Sequence, residues 1–284
     1  MAETVFSFPG KAGDALMQWP IAYWWARENG KTFTCWMDEH STKMVAPLFA
    51  AQPCVDKVEF KSGVENYSCG GQPWHFDIPA SDYIDREVHH LGFKNFPARQ
   101  LTLETMENIK LGLKVDQDLL AKTPSIEAPG PVEGFLEGER ICILHGQAIY
   151  SNTKGTPKFW TFLSDISPEL AIRFDRLVFV GDERDREVGL RTYPDWETFD
   201  DHGSFLELAK LMKMAKLVIG CGSSVVALAG ALKVNSIRVH DPIGEHPKMI
   251  WSNLQENHLN STEDQLRGEW GPWRDKWLAE VPVG

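Results

Sequence analysis

The sequence predicts an α/β fold of two doubly wound parallel sheets that face a cleft. Apolar runs of strand length alternate with segments of helical period along most of the chain. A stretch rich in proline and glycine divides that alternation in two, and in each half a strand runs through a small-residue turn into a helix. Strands that alternate with helices of this length imply parallel pairing and right-handed crossovers. The 284 residues suffice for two α/β domains of ordinary size. Their expected bounds are residues 1–125 and 141–260, joined by a linker at 126–140 and followed by a helical tail at 261–284.

Thr4-Val5-Phe6-Ser7-Phe8 is the first strand, and Pro9-Gly10-Lys11-Ala12-Gly13 is the turn after it. Glycines at 10 and 13 let the backbone turn tightly and approach a ligand closely. From Asp14 to Asn29 apolar residues recur at helical spacing, and Gly30 gives a C-cap signal. Pro20 predicts a kink or break in that helix. Thr32 to Met37 and Val55 to Phe60 read as the second and third strands, with a weaker strand at Trp74 to Ile78. His89 and His90 are expected on a helix surface, and Leu101 to Leu113 reads as a helix.

Residues 121–140 hold three prolines and three glycines among many acids, a linker composition. The alternation then restarts with a strand at Ile141 to Leu144, a helix from about Lys158 and a strand at Arg176 to Val180. A helix at Ser204 to Ala215 and a strand at Lys216 to Ile219 follow. The last pair is a helix at Ser224 to Leu232 and a strand at Ser236 to His240. In the tail, Pro272 suits a helix start, and Trp273 and Trp277 fall one turn apart.

Composition narrows the function classes. The net charge is −11; residues 1–130 carry 12 Lys/Arg against 17 Asp/Glu and the remainder 17 against 23. Neither half is basic, which disfavours nucleic acid as a partner without excluding it. Five scattered cysteines form no C-x-x-C pair and point to reduced thiols. No apolar run reaches membrane-spanning length and the N-terminus does not read as a signal peptide, so a cytoplasmic location is expected.

Three junctions carry chemistry. Asp14, read as the first helical residue, sits where a strand's carboxyl end meets a helix N-terminus, the usual ligand crevice of an α/β sheet. It suits helix capping as well as catalysis. Leu217-Val218-Ile219-Gly220-Cys221-Gly222-Ser223-Ser224 runs from a buried strand into a helix, and amides and hydroxyls at such an N-terminus suit a diphosphate. A serine cap with glycines for packing is the plainer reading. Lys158, in Pro157-Lys158-Phe159-Trp160, opens a helix from which an ammonium can reach a phosphate. Glu183 follows a strand end, where a carboxylate can accept from ribose hydroxyls, although Asp182 to Arg186 equally suits a solvated loop.

Other patterns are weaker. Asp116-Gln117-Asp118 has the D-x-D spacing of metal sites but follows a helix rather than a strand, and no H-E-x-x-H is present, so no metal is expected. Most of the eleven tryptophans suit a core; Trp19, five residues after Asp14, is the expected exception, as a face for stacking on a sugar.

The order and spacing of these segments resemble the heptosyltransferase-type glycosyltransferases (glycosyltransferase family 9), nucleotide-sugar enzymes of the GT-B fold with two Rossmann-like domains. Gly13-Asp14-Ala15-Leu16 followed by Pro20 is similar to that family's G-D-x-L-x-x-x-P element, and Pro157 to Trp160 to its K-x-W element. Gly181-Asp182-Glu183 falls where the family places a ribose-binding glutamate, and Phe205 to Gly220 resembles the helix and strand before its donor-phosphate loop. The loop itself departs from the family's G-N-D-[ST]-G-x-x-H: Gly222 replaces the acidic residue and Ala227 the histidine.

The resemblance implies transfer of a sugar from a nucleotide-diphosphate sugar to an acceptor hydroxyl. No metal and no cofactor beyond that donor substrate are implied. Asp14 would be the general base; Lys158, Glu183, Gly222, Ser223 and Ser224 would bind the donor; Lys11, Gly13 and Trp19 would form the phosphate and acceptor loop of an N-terminal acceptor-binding domain. Three alternatives stay open: a glucosyltransferase acting on hydroxymethylated pyrimidine in DNA, a nucleotide-sugar 2-epimerase, and a nucleotide-sugar-binding protein that turns nothing over.

Overall fold

The computed structural model describes residues 2–61, 78–91, 123–146, 156–221, 224–239 and 258–260. The first part runs β1 (Glu3–Phe8), α1 (Ala12–Asn29), β2 (Phe33–Asp38), α2 (Ala46–Ala50), β3 (Val55–Lys61), a 3-10 turn (Ala80–Tyr83) and β4 (Arg86–His90). The four strands pair in parallel in the order β3-β2-β1-β4. Residues 123–140 form neither helix nor strand.

The second part continues with β5 (Ile141–His145), α3 (Thr156–Arg173), β6 (Arg176–Phe179), α4 (Glu183–Thr192), β7 (Glu197–Thr198) and α5 (Phe205–Met214). It ends with β8 (Leu217–Cys221), α6 (Ser224–Leu232), β9 (Ser236–Val239) and β10 (His258–Asn260). These six strands are parallel too, in the order β10-β9-β8-β5-β6-β7. The order reverses direction at β5, and in a doubly wound sheet the crevice beyond the carboxyl ends of the strands at that point, here β5 and β8, binds ligands.

β1, β2, β5 and β8 are buried on both faces, which their apolar runs require. One apolar cluster spans the two parts: Trp19 and Phe49 belong to it together with Leu208, Leu211 and Leu228. Residues 123–132 are threaded between them. Ser125 N–H donates to Ala231 O (2.9 Å), and the buried Gln52 side chain both donates to Glu127 O (2.9 Å) and accepts from Glu127 N–H (2.7 Å).

Four expectations need correction. α1 passes through Pro20 without a break: the bond that would run back to Leu16 is missing, but the residues around Pro20 are buried and tertiary packing outweighs the loss. The helix also starts two residues earlier than expected, so Asp14 is its third residue. His89 and His90 lie on strand β4 rather than a helix, because pairing with β1 draws this polar segment into the sheet and seats His89 against Phe6 (ring centroids 5.0 Å). Asp182 to Arg186 is not a loop: Asp182 caps α4 by accepting from Asp185 N–H (2.9 Å). The strand at Trp74 to Ile78 (Ile78 excepted), the helix at Leu101 to Leu113, Asp116 to Asp118, His240 and the tail with Pro272, Trp273 and Trp277 lie outside the described residues.

Candidate functional site

The turn between β1 and α1 is built from two sides. Gly10 has φ of 111°, a conformation that side chains rarely adopt. Its carbonyl accepts from the Ser41 hydroxyl at 2.7 Å, and Ser41 Oγ lies equally close to Asp38 Oδ1. Asp38 ends β2 and is buried; its Oδ1 also accepts from the backbone N–H groups of His40 (3.0 Å) and Ser41 (2.7 Å). A carboxylate bonded several times in this way fixes its loop, and the loop fixes Gly10.

Lys11 is the N-cap of α1, and its backbone N–H donates to Asp14 Oδ2 at 2.9 Å. Asp14 therefore does cap the helix, and it does so while half-buried at the carboxyl end of the first sheet. One residue earlier, Gly13 touches the second part of the chain. A Cβ at Gly13 would lie 3.4 Å from Ser224 Cα and 3.5 Å from Ser224 N. The first turns of α1 and α6 thus meet, and two positive helix ends converge beside one carboxylate.

The other candidates distribute around the second sheet. Ser224 opens α6 directly after β8; Gly222 and Ser223 lie outside the described residues. Lys158 is the third residue of α3, beyond the carboxyl end of β5. Glu183 is the first residue of α4 and is exposed. Trp19 is not available for stacking: it is fully buried between Phe8 and Phe49, and its indole N–H donates to Ser125 O at 2.6 Å. The structure therefore brings Lys11, Gly13, Asp14 and Ser224 together and takes Trp19 into the core.

Four functional-site neighbours escape the sequence patterns. Asp38 and Ser41 belong to a loop with no motif. His145 ends β5 and Asp185 lies in the first turn of α4, with His145 Nε2 3.6 Å from Asp185 Oδ2. Burial pushes His145 down to about 4 against the opposing pull of Asp182, and burial with the Asp182 charge pushes Asp185 up to about 7. Across the crevice, the Cys221 thiol donates to Gly146 O (3.3 Å), tying the end of β8 to the end of β5. Among the described residues no three His, Cys, Asp or Glu side chains are grouped to hold a metal ion, and no helix is long and apolar enough to cross a membrane.

No protein-family model matches the chain, and no curated protein matches it. Its fold does match solved structures end to end. Against ADP-heptose LPS heptosyltransferase II of E. coli the TM-score is 0.59 at 10% identity, over 98% of this chain and 97% of that one. Against the E. coli heptosyltransferase WaaC, solved with ADP, it is 0.57 at 14% identity, over 99% of both chains. A family 9 glycosyl transferase from Veillonella parvula gives 0.61 at 14% identity, over 97% of this chain and 89% of that one. The chain has the GT-B architecture of these proteins, two Rossmann-like parallel sheets.

Proposed function

We propose that this chain, sharing the fold of the heptosyltransferases, transfers a sugar from a nucleotide-diphosphate sugar to an acceptor hydroxyl. The observation that carries the reading is the contact of Gly13 with Ser224, which puts a carboxylate of one sheet beside a helix N-terminus of the other. Carboxylate and anion site are the two halves of a glycosyl transfer, and here they are neighbours.

In this reading the acceptor hydroxyl gives its proton to Asp14 as its oxygen attacks the anomeric carbon. The bond from that carbon to the diphosphate breaks, and the leaving nucleoside diphosphate carries away the electron pair. Its charge is met by the amides at the start of α6, by Ser223 and Ser224, and by Lys158, with Gly222 giving the backbone room to approach. Lys11 and Gly13 shape the turn that aims Asp14. Glu183, at the start of α4, is assigned to the donor ribose. A metal ion is not needed where helix ends and an ammonium supply the charge, and a glycan is the acceptor class that suits the acidic chain.

The test is a thermal-shift panel of nucleoside diphosphates and their sugars on the wild type and Lys158→Ala. Stabilisation by one base, reduced in the variant, supports the donor site; no stabilisation by any member sinks the reading. Consumption of the donor with no acceptor present would instead identify an epimerase.

A further inference from the structure

α1 and α6 are joined at both ends of a short span. At the mouth of the crevice Gly13 meets Ser224, where an added Cβ would sit 3.4 Å from Ser224 Cα and 3.5 Å from Ser224 N. Deeper in the core the joint is a relay through Ser125. The Trp19 indole N–H donates to Ser125 O at 2.6 Å, and Ser125 N–H donates to Ala231 O at 2.9 Å. Trp19, Ser125 and Ala231 are all buried. From the rise of an α-helix, the joints lie about 9 Å apart along α1 and about 10 Å apart along α6. Contacts at matched spacing fix the tilt of one helix on the other as well as their separation.

The mouth contact is not something α1 needs for itself. Gly13 lies within the helix and its φ is not positive, so its backbone does not call for glycine. Glycine at such a position serves a helix less well than alanine. What the missing side chain does is let two helix backbones meet, and the side chains at a contact set the distance between axes. Charge opposes the approach, because the joints follow the same chain direction on both helices and bring their positive ends together. Those ends carry the two halves of the proposed reaction, Asp14 on α1 and the amides of α6.

We propose that Gly13 and Trp19 are positioning residues that hold the carboxylate and the donor site at one spacing, and that this spacing keeps the sugar from passing to water. The proposal rests on the donor site of the proposed function. Transfer and hydrolysis differ only in the attacking oxygen. In hydrolysis a water oxygen bonds to the anomeric carbon and its proton goes to Asp14. The bond to the diphosphate breaks, the nucleoside diphosphate leaves with the electron pair, and free sugar is the product. Water is always in excess, so transfer prevails only where the site leaves no room for it. A wider gap between α1 and α6 admits water beside Asp14, and a changed tilt aims Asp14 away from the acceptor.

The experiment measures free-sugar release from UDP-glucose, ADP-glucose and GDP-mannose, with no acceptor present, by wild type, Gly13→Ala, Gly13→Val and Trp19→Phe. Calorimetric titration of UDP, ADP and GDP into each protein runs beside it. Gly13→Val drives a wedge between the helices at the mouth. Trp19→Phe keeps a ring in the core but removes the donor to Ser125 O, six residues away from Gly13. Both are expected to raise free-sugar release about 10-fold or more, with nucleoside diphosphate affinity within about 3-fold of wild type. Gly13→Ala, whose Cβ only touches Ser224, is expected to fall between wild type and Gly13→Val. A variant that merely folds less well releases sugar more slowly, so a rise cannot come from lost structure. Release at or below the wild-type rate in both Gly13→Val and Trp19→Phe overturns the proposal, and so does the absence of release from every donor. Loss of nucleotide affinity in these variants overturns it as well, because the residues then build the donor site rather than set its distance. A wild type that binds none of the three nucleotides overturns the donor site and this proposal together, so the two failures are distinct.

Discussion

The Ser41 hydroxyl donates to the carbonyl of Gly10 across 2.7 Å, so the loop after β2 grips the turn that presents Asp14. Ser41→Ala removes that hydrogen bond and with it the grip. The expected cost is about 1 kcal/mol, or a fall of about 2–4 °C in Tm. Transfer is expected to fall by more than the loss of folded protein explains, because a turn that wanders by an ångström misplaces its carboxylate. Thermal unfolding beside kcat at saturating donor checks this; unchanged kcat would deny the turn its role.

Asp14 caps α1 and is assigned the acceptor proton, and one substitution separates the two duties. Asn at this position keeps an oxygen that can accept from Lys11 N–H but cannot take a proton. Asp14→Asn is thus expected to leave Tm within about 1–2 °C of wild type while kcat falls about 10²–10⁴-fold. Affinity for the nucleoside diphosphate should hold. A variant that transfers sugar at the wild-type rate would reduce Asp14 to a cap.

The His145–Asp185 pair makes stability depend on pH. Asp185 titrates at about 7 in the fold against an ordinary 3.8, so its contribution is whole at low pH and is lost as pH rises through about 7. His145 titrates at about 4 against an ordinary 6.5, so its contribution is whole above 6.5 and is lost as pH falls through about 4. The two trends oppose one another between about pH 4 and about pH 6.5, and the Asp185 loss is complete once pH has risen past about 7. Asp185→Asn should therefore gain on wild type by about 1–3 kcal/mol between about pH 5 and about pH 8. A constant difference in Tm across that range contradicts the assignment.

Short-range patterns made the frame legible. Thr4 to Phe8 and Leu217 to Cys221 are apolar enough to read as buried strands, and each runs through glycines into a helix. The segments that pattern misplaces owe their conformation to partners far away in sequence. Arg86 to His90 is polar and becomes a strand by pairing with β1. Asp182 to Arg186 carries no apolar period in its first turn, and the Asp182 cap starts the helix. Trp19 looks like a ligand platform beside Asp14 until Ser125 and Phe49 enclose it. His145 and Asp185 are 40 residues apart and meet because β5 and β6 are adjacent and parallel. No local spacing encodes that meeting.

The two sheets should unfold as one unit. Trp19 binds Ser125 O through its indole, Ser125 N–H binds Ala231 O, and Phe205 N–H binds Met44 O at 2.9 Å, so hydrogen bonds cross the same boundary as the apolar cluster. Gln52 is the most exposed to loss, since its one side chain satisfies both the N–H and the carbonyl of Glu127 from a buried position. Gln52→Ala leaves those two groups unpaired and is expected to cost about 2–4 kcal/mol. Because the lost bonds join the two parts, the whole transition should move to lower denaturant rather than split. Fluorescence of the core tryptophans and far-ultraviolet circular dichroism, followed together through a urea titration, check this. Coincident curves in both proteins support a single cooperative core, and a biphasic curve in wild type would mean that the shared cluster does not couple the sheets.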